Sequence, residues 1–158
     1  MSERWPDDWS RRMDGHDCPL CASLGGDGDD YAVPVATLPA TEVRLTRRSR
    51  LPGYCVVVWR HGHVAEPFDL DPEAAAEYWR DVMDVGRAIR AELDPIKLNF
   101  LTLGNSVPHV HTHVVPRYRD DPAPGGPIPW DAMFTREPSW PDELERLAAA
   151  LRSRLPVA

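Results

Sequence analysis

No stretch of this sequence approaches the ~20 consecutive apolar residues that a membrane span requires, so its pattern excludes a spanning helix. It has no excess of positive charge. Lys and Arg number 18 against 25 Asp and Glu, a formal net charge of −7, and such a chain lacks the electrostatic footprint of a general nucleic-acid binder. That balance still leaves room for a small anionic ligand held by a local cluster. Residues Met1 to Trp9 are polar and acidic with no apolar h-region, so no secretory signal is expected and the expected location is cytoplasmic. Cysteine is scarce, with three in 158 residues, and a chain of this length can bury a core without disulfide staples. The GGDG at residues 25–28 lacks the Lys-Ser/Thr of a phosphate-cradling P-loop. No internal repeat is visible.

What is present fits one soluble-type domain. Apolar residues make up 42% and charged residues 27% of the chain, close to globular averages. Residues 31–37, YAVPVAT, and 41–46, TEVRLT, carry partial period-2 character and read as strands joined by a Pro-containing turn. The continuously apolar YCVVVW, 54–59, reads as a strand buried on both faces. Asp71 followed by Pro72 is a helix start. From there Tyr78, Val82, Val85, Ile89 and Leu93 recur at spacings of three and four, an amphipathic stripe that ends at Asp94-Pro95. Residues 96–103 and 109–117 read as strands separated by about five residues, a hairpin length, which makes the sheet largely antiparallel. The segment 141–155 reads as a short C-terminal helix, with Asp142 and Glu143 at its positive dipole end. The expected fold is α+β: an antiparallel sheet of about five strands, one long helix and a short C-terminal helix. Residues 1–17 read as a tail, 18–130 as the domain, and 131–158 as an extension. Proline is frequent, 17 in all, and clusters at 122–129 and 138–141; there Trp130 and Trp140 are candidates either to cap a site or to pack.

Half of the six histidines fall within five residues: His109, His111 and His113. On a strand, alternate side chains share a face, so all three imidazoles are expected to project together. Three readings stay open: a polar strand face with incidental histidines, a metal site, and nucleophilic catalysis by one imidazole assisted by its neighbours. The first is disfavoured, because three buried imidazoles need partners. Cys18 and Cys21 form a CxxC, whose readings are a metal site, a redox pair, or two reduced thiols. Cys55, inside the apolar run, reads as core.

The segment His109-Val110-His111-Thr112-His113-Val114-Val115 resembles the signature of the histidine triad (HIT) family, with Thr112 the one departure. The likeness extends to Asn99, to Gly104-Asn105-Ser106-Val107, to Pro116-Arg117, and to Pro52-Gly53, the YCVVVW strand and His63-Val64. It spans roughly residues 15–130. The resemblance implies a HIT-like fold and an enzyme that hydrolyses or transfers nucleotidyl groups. It assigns His111 as the nucleophile on the α-phosphorus and His113 as a stabiliser of the non-bridging oxygens, with His109 completing the triad. Asn105 and Ser106 would hydrogen-bond the phosphate or leaving group, a backbone N–H near Val107 would assist, and Asn99 would border the pocket. Where the family often places an Asp or Asn on the ribose, six residues before Pro52, this chain has Thr46, followed by Arg47 and Arg48. The substrates implied are nucleoside phosphoramidates or dinucleoside polyphosphates. The alternatives are a nucleotidyltransferase or phosphorylase, or a non-catalytic zinc-stabilised nucleotide-binding protein. No membrane or nucleic-acid polymer partner is implied.

Some members of the family bind zinc through an N-terminal CxxC, a histidine after the central strand and the first triad histidine. The matching residues are Cys18, Cys21, His63 and His109, a Cys2His2 set of structural type. His61 and His16 are rivals for the third position. The resemblance also implies a homodimer with the long helix near its two-fold axis. Because Tyr78 and Trp79 are adjacent on that helix, one of them must leave the core stripe.

Overall fold

The computed structural model describes residues 4–121, 123–127, 130–133 and 141–156. Trp140 lies outside these residues, as does the side chain of Trp130. Five strands, β1 (Ala32–Thr37), β2 (Thr41–Thr46), β3 (Cys55–Trp59), β4 (Lys97–Leu101) and β5 (His111–Arg117), form one antiparallel sheet in the order β1-β2-β3-β5-β4. The helices are α1 (Trp9–Met13), α2 (Pro19–Ser23), α3 (Pro72–Leu93) and α4 (Pro141–Arg152). The α+β sheet with one long helix and a C-terminal helix is therefore as the patterning implies. The short α1 and α2 are additions: each is five residues, too brief for periodicity to declare it.

Local chemistry explains the long helix. The Asp71 carboxylate caps it by accepting from the Glu73 and Ala74 N–H groups, and Pro72 occupies the first turn, where no N–H is needed. Asp94 closes it in a left-handed conformation, with Pro95 behind. Tyr78, Val82, Val85 and Ile89 are all buried and pack with Val43, Leu45, Cys55, Val57 and Val114 of the sheet and with Leu144, Ala148 and Leu151 of α4. Each such side chain contributes on the order of 1.5–3 kcal/mol. Tyr78 stays in the stripe and Trp79 leaves it, 38% exposed. The odd member of the triad signature, Thr112, faces this helix side. Its hydroxyl lies 2.7 Å from the Tyr78 hydroxyl and 2.7 Å from that of Thr102.

The opposite face of the sheet positions the site. Because side chains alternate, Tyr54, Val56, Val58, His111, His113, Val115 and Arg117 all point there. A second core forms on it from Leu51, Tyr54, Val56, Val58, Val115 and Met133, flanked by Leu20 and Leu24 of the N-terminal segment. Pro52-Gly53 makes the tight approach to β3. Gly53 has φ +84, and a Cβ there would meet Leu93 Cδ1 at 2.3 Å, so only glycine fits.

One expectation is corrected. β5 begins at His111, not at residue 109, and its link to β4 is longer than the expected hairpin. The His109 N–H turns back to the Val107 carbonyl (2.9 Å), and Val110 pairs with Val64 and Trp59 instead of with β4. His109 thus lies just before the strand, while Val110 packs in the helix-side core with Val114, so alternation still sends the His109 ring to the side of the other two, toward Cys18 and Cys21.

Candidate functional site

His111 and His113 stand two residues apart on β5, opposite Val58 and Val56 of β3. They are 8% and 6% exposed, and their ring centroids are 4.9 Å apart in a T-shaped arrangement. His111 Nδ1 lies 2.6 Å from the His109 carbonyl oxygen. A carbonyl only accepts, so Nδ1 carries the proton and Nε2 carries the lone pair. Burial lowers the His111 pKa, although its backbone hydrogen bond opposes the shift, so the ring is neutral at pH 7 and Nε2 is a competent nucleophile. Burial, assisted by the His111 charge, pushes His113 down to about 3. The Tyr54 hydroxyl lies 2.7 Å from His113 Nδ1, and the Tyr31 hydroxyl lies 3.4 Å from that of Tyr54. Reading the sequence missed Tyr54. Its position in an apolar strand looks like core, and the only signal is that a fully buried phenol must find a polar partner.

His109 faces the N-terminal segment. Its Nε2 donates to the Trp59 carbonyl (2.8 Å), so Nδ1 is bare, and Nδ1 lies 3.6 Å from Cys18 Sγ and 3.3 Å from Cys21 Sγ. His63 repeats the arrangement: Nε2 donates to the Met13 carbonyl (3.1 Å) and Nδ1 lies 3.7 Å from Cys21 Sγ. The four ligand atoms lie within 4.8 Å of one another. A tetrahedral ion with bonds of ~2.3 Å to sulfur and ~2.0–2.1 Å to nitrogen imposes N···S edges of about 3.5 Å, which these separations match. Both imidazoles have their tautomers set by backbone carbonyls, the usual outer support of a metal-bound histidine. The rivals fall away. His61 is exposed, with Nε2 2.7 Å from the Pro39 carbonyl, and His16 is exposed, with Nδ1 3.2 Å from the Arg11 carbonyl. Gly15 brings the chain in close: at φ +82, a Cβ there would meet His63 Cγ at 2.6 Å.

The remaining predicted residues are distributed around this pair of centres. Ser106 and Val107 line a cavity of about 290 Å³ whose other wall includes Arg11, Arg12 and His16; Arg12 also donates to the Ser106 carbonyl. Asn105 is exposed on the same loop. Asn99 lies on β4, and its amide oxygen accepts from Arg117 Nη1 at 2.6 Å. Arg117 also grips Asp121. Thr46 is buried, and its hydroxyl donates to the Tyr54 carbonyl (3.1 Å), so it offers no carboxylate for a ribose. Arg47 donates to the Asp29 carbonyl.

A buried ion pair ties the N-terminal segment over this face. Arg44 and Glu42 of β2 are 2.6 Å apart, with side chains 5% and 7% exposed. Arg44 also donates to Ser23 Oγ and the Ser23 carbonyl, and Glu42 Oε2 accepts from the Gly25 N–H at 2.7 Å.

The family model described as the HIT domain matches residues 29–120, more than half of the chain. The chain belongs to the HIT family. The matched span holds His63 and the whole triad, and the CxxC precedes it. The Protein hit of Bacillus subtilis (strain 168) is 31% identical over 98 residues, covering 59% of this chain and 65% of its own length, so the chain spans just under two thirds of that relative. A histidine triad protein of Bradyrhizobium japonicum has the same HIT architecture, with a TM-score of 0.72 at 27% identity over 79% of this chain and 91% of that one. A Zn-bound histidine triad family protein of Mycobacterium smegmatis shares the fold, with a TM-score of 0.63 at 24% identity over 88% of this chain and 95% of its own. Among the described residues no helix is long and apolar enough to cross a membrane.

Proposed function

We propose that this HIT protein is a nucleotidyl hydrolase acting at the α-phosphate of nucleoside phosphoramidates or dinucleoside polyphosphates. The observation that carries the reading is the 2.6 Å hydrogen bond from His111 Nδ1 to the His109 carbonyl, which leaves Nε2 as a buried, neutral nucleophile. Nε2 attacks the α-phosphorus while the bond to the leaving group breaks; the leaving group departs with the electron pair and takes up a proton. Water then hydrolyses the nucleotidyl-histidine, releasing the nucleoside monophosphate and restoring His111. His113, beside it, stabilises the charge on the non-bridging oxygens. Asn105, Ser106 and the Val107 N–H bind the phosphate or leaving group, and Asn99 borders the pocket through its hold on Arg117. Transfer of this kind asks mainly for positioning and charge stabilisation.

Cys18, Cys21, His63 and His109 would hold zinc. Four protein donors leave no open position, so the ion would be structural, fixing the N-terminal segment beside the triad. The donor chemistry supports this: two cysteine sulfurs and two imidazole nitrogens bared by backbone hydrogen bonds converge within 4.8 Å, a donor set that suits zinc. We also propose a homodimer. Trp79 and Met83 of α3 are exposed on one stripe, and Phe100 of β4 lies against Gly86 on that same stripe (38%, 36% and 38% exposed), along a sheet edge that no other strand of the described residues covers. The partners proposed are a nucleotide and a second copy of the chain, in the cytoplasm.

The test is release of nucleotide from adenosine 5′-phosphoramidate, diadenosine polyphosphates and a nucleotide sugar, with and without inorganic phosphate, beside His111→Ala. AMP release without phosphate, lost by about a thousandfold or more in the variant, supports the hydrolase. Nucleoside diphosphate appearing only with phosphate would make the protein a phosphorylase. No release from any substrate, with AMP still bound, would leave a binding protein.

A further inference from the structure

We infer that Tyr54 is a positioning residue that donates its hydroxyl hydrogen to His113 Nδ1 and thereby holds His113 as the Nε2–H tautomer, opposite to that of His111. The inference rests on the reading of this face as a nucleotidyl-transfer site and assigns His113 its chemical form there.

Tyr54 precedes β3, pairs through its backbone carbonyl with Thr46, and is fully buried. Its hydroxyl is 2.7 Å from His113 Nδ1 and 3.4 Å from the Tyr31 hydroxyl. A hydroxyl has one hydrogen to give and two lone pairs to receive with. Of His113 Nδ1 and the Tyr31 hydroxyl oxygen, the imidazole nitrogen is nearer by 0.7 Å. It is also the better acceptor. A neutral imidazole is a base with a conjugate acid near 6.5, whereas a phenol oxygen accepts weakly and a phenol near 10 donates well. The Tyr31 O–H then faces the Tyr54 oxygen, so the chain Tyr31→Tyr54→His113 runs with every donor aimed at an acceptor. Tyr31 is 40% exposed, so this chain starts at the surface and ends at the buried ring.

The two histidines are thus set by two different devices. A backbone carbonyl, which can only accept, puts the His111 proton on Nδ1 and bares Nε2. A phenol puts the His113 proton on Nε2 and turns that ring into a hydrogen-bond donor. The chemistry needs this pairing: one ring must attack phosphorus, and the next must give a hydrogen bond to an oxygen gaining charge. With the same tautomer on both rings, His113 would turn a lone pair toward a phosphate oxygen and repel it. Burial supports the assignment, since it keeps His113 neutral with a single ring proton to place.

The experiment is long-range proton–nitrogen NMR of the ¹⁵N-labelled protein, with steady-state kinetics of wild type and Tyr54→Phe. In the wild type, His113 Nε2 should resonate as a protonated ring nitrogen and Nδ1 as a bare, hydrogen-bonded one. In Tyr54→Phe, which keeps the ring and removes one oxygen, the two nitrogens should move toward an averaged tautomer mixture, and kcat should fall about ten- to a hundredfold with KM within about threefold. Tyr31→Phe should leave the His113 tautomer in place with a smaller loss. A wild-type His113 protonated at Nδ1 would overturn the assignment, as would a Tyr54→Phe protein with unchanged ring-nitrogen shifts and unchanged kcat. The wild-type spectrum decides the tautomer even if the variant does not fold. It also does so if the wild type releases no nucleotide, an outcome that would sink the hydrolase reading separately.

Discussion

Arg44→Met should be among the most damaging single changes on the site face. The substitution keeps most of the buried stem and removes the guanidinium that meets Glu42 at 2.6 Å. It strips Ser23 of two donors and leaves the Glu42 carboxylate, 7% exposed, with the Gly25 N–H alone from this network. Breaking a buried pair by removing one partner costs about 3–5 kcal/mol. The loss relative to wild type should therefore be roughly 4 kcal/mol at pH 7, a melting temperature lower by roughly 6–20 °C. The assay is urea unfolding followed by circular dichroism at pH 7, with metal supplied in excess. The double variant Glu42→Leu/Arg44→Met strands no charge and should lose less than Arg44→Met alone. A loss under about 1 kcal/mol at pH 7, or a double variant worse than the single, would refute the claim that this pair is buried and interdependent.

Three further outcomes are expected. Cys21→Ser should lower the bound zinc measured by mass spectrometry to well below one ion per chain and expose residues 1–25 to limited proteolysis before the sheet unfolds, since that variant loses the sulfur nearest both His63 and His109. Asp121 is held below its ordinary 3.8, chiefly by hydrogen bonds from Arg117. Its stabilisation is complete above that value and is lost as pH falls through the lower, folded one, so the stability gap between wild type and Asp121→Asn should hold at neutral pH and close as the solution is acidified below that value; a gap that widens in acid would contradict it. Trp79→Glu should convert a dimer to a monomer in sedimentation velocity without changing the circular dichroism spectrum, and a variant that sediments as wild type would place the interface elsewhere.

The reach of the sequence is clearest in particular residues. The long helix was legible because its cap, its stripe and its stop all agree. Of the Cys2His2 set, spacing alone marks only the CxxC; His63 and His109 were legible through the family resemblance, because nothing local joins them to Cys21, 42 and 88 residues away. The strand holding the triad begins later than its pattern suggests, because the period-2 rule runs along a strand without saying where the strand starts; the local turn at Val107 and the long-range pairing of Val110 with Val64 and Trp59 delay that start to His111. Glu42 and Arg44 look, on an alternating strand, like an exposed face. They are buried because the segment around Ser23 folds over them, and no local pattern announces a contact across some twenty residues. Tyr54 was hidden for a related reason: an aromatic in an apolar run is usually packing, and only the third dimension puts its oxygen against His113.

His109 belongs to two centres at once. Its ring nitrogen faces the cysteines, and its carbonyl receives the proton-bearing nitrogen of His111. Two ligands that lean on one residue are thermodynamically linked, and the coupling is the same in both directions. If the cluster holds an ion and His111 takes a nucleotide, as proposed, then by whatever factor the ion tightens nucleotide binding, the nucleotide must tighten binding of the ion by an equal free energy. The metal content of this protein would then report the occupancy of its reaction site, and a chelator would compete with substrate without touching it.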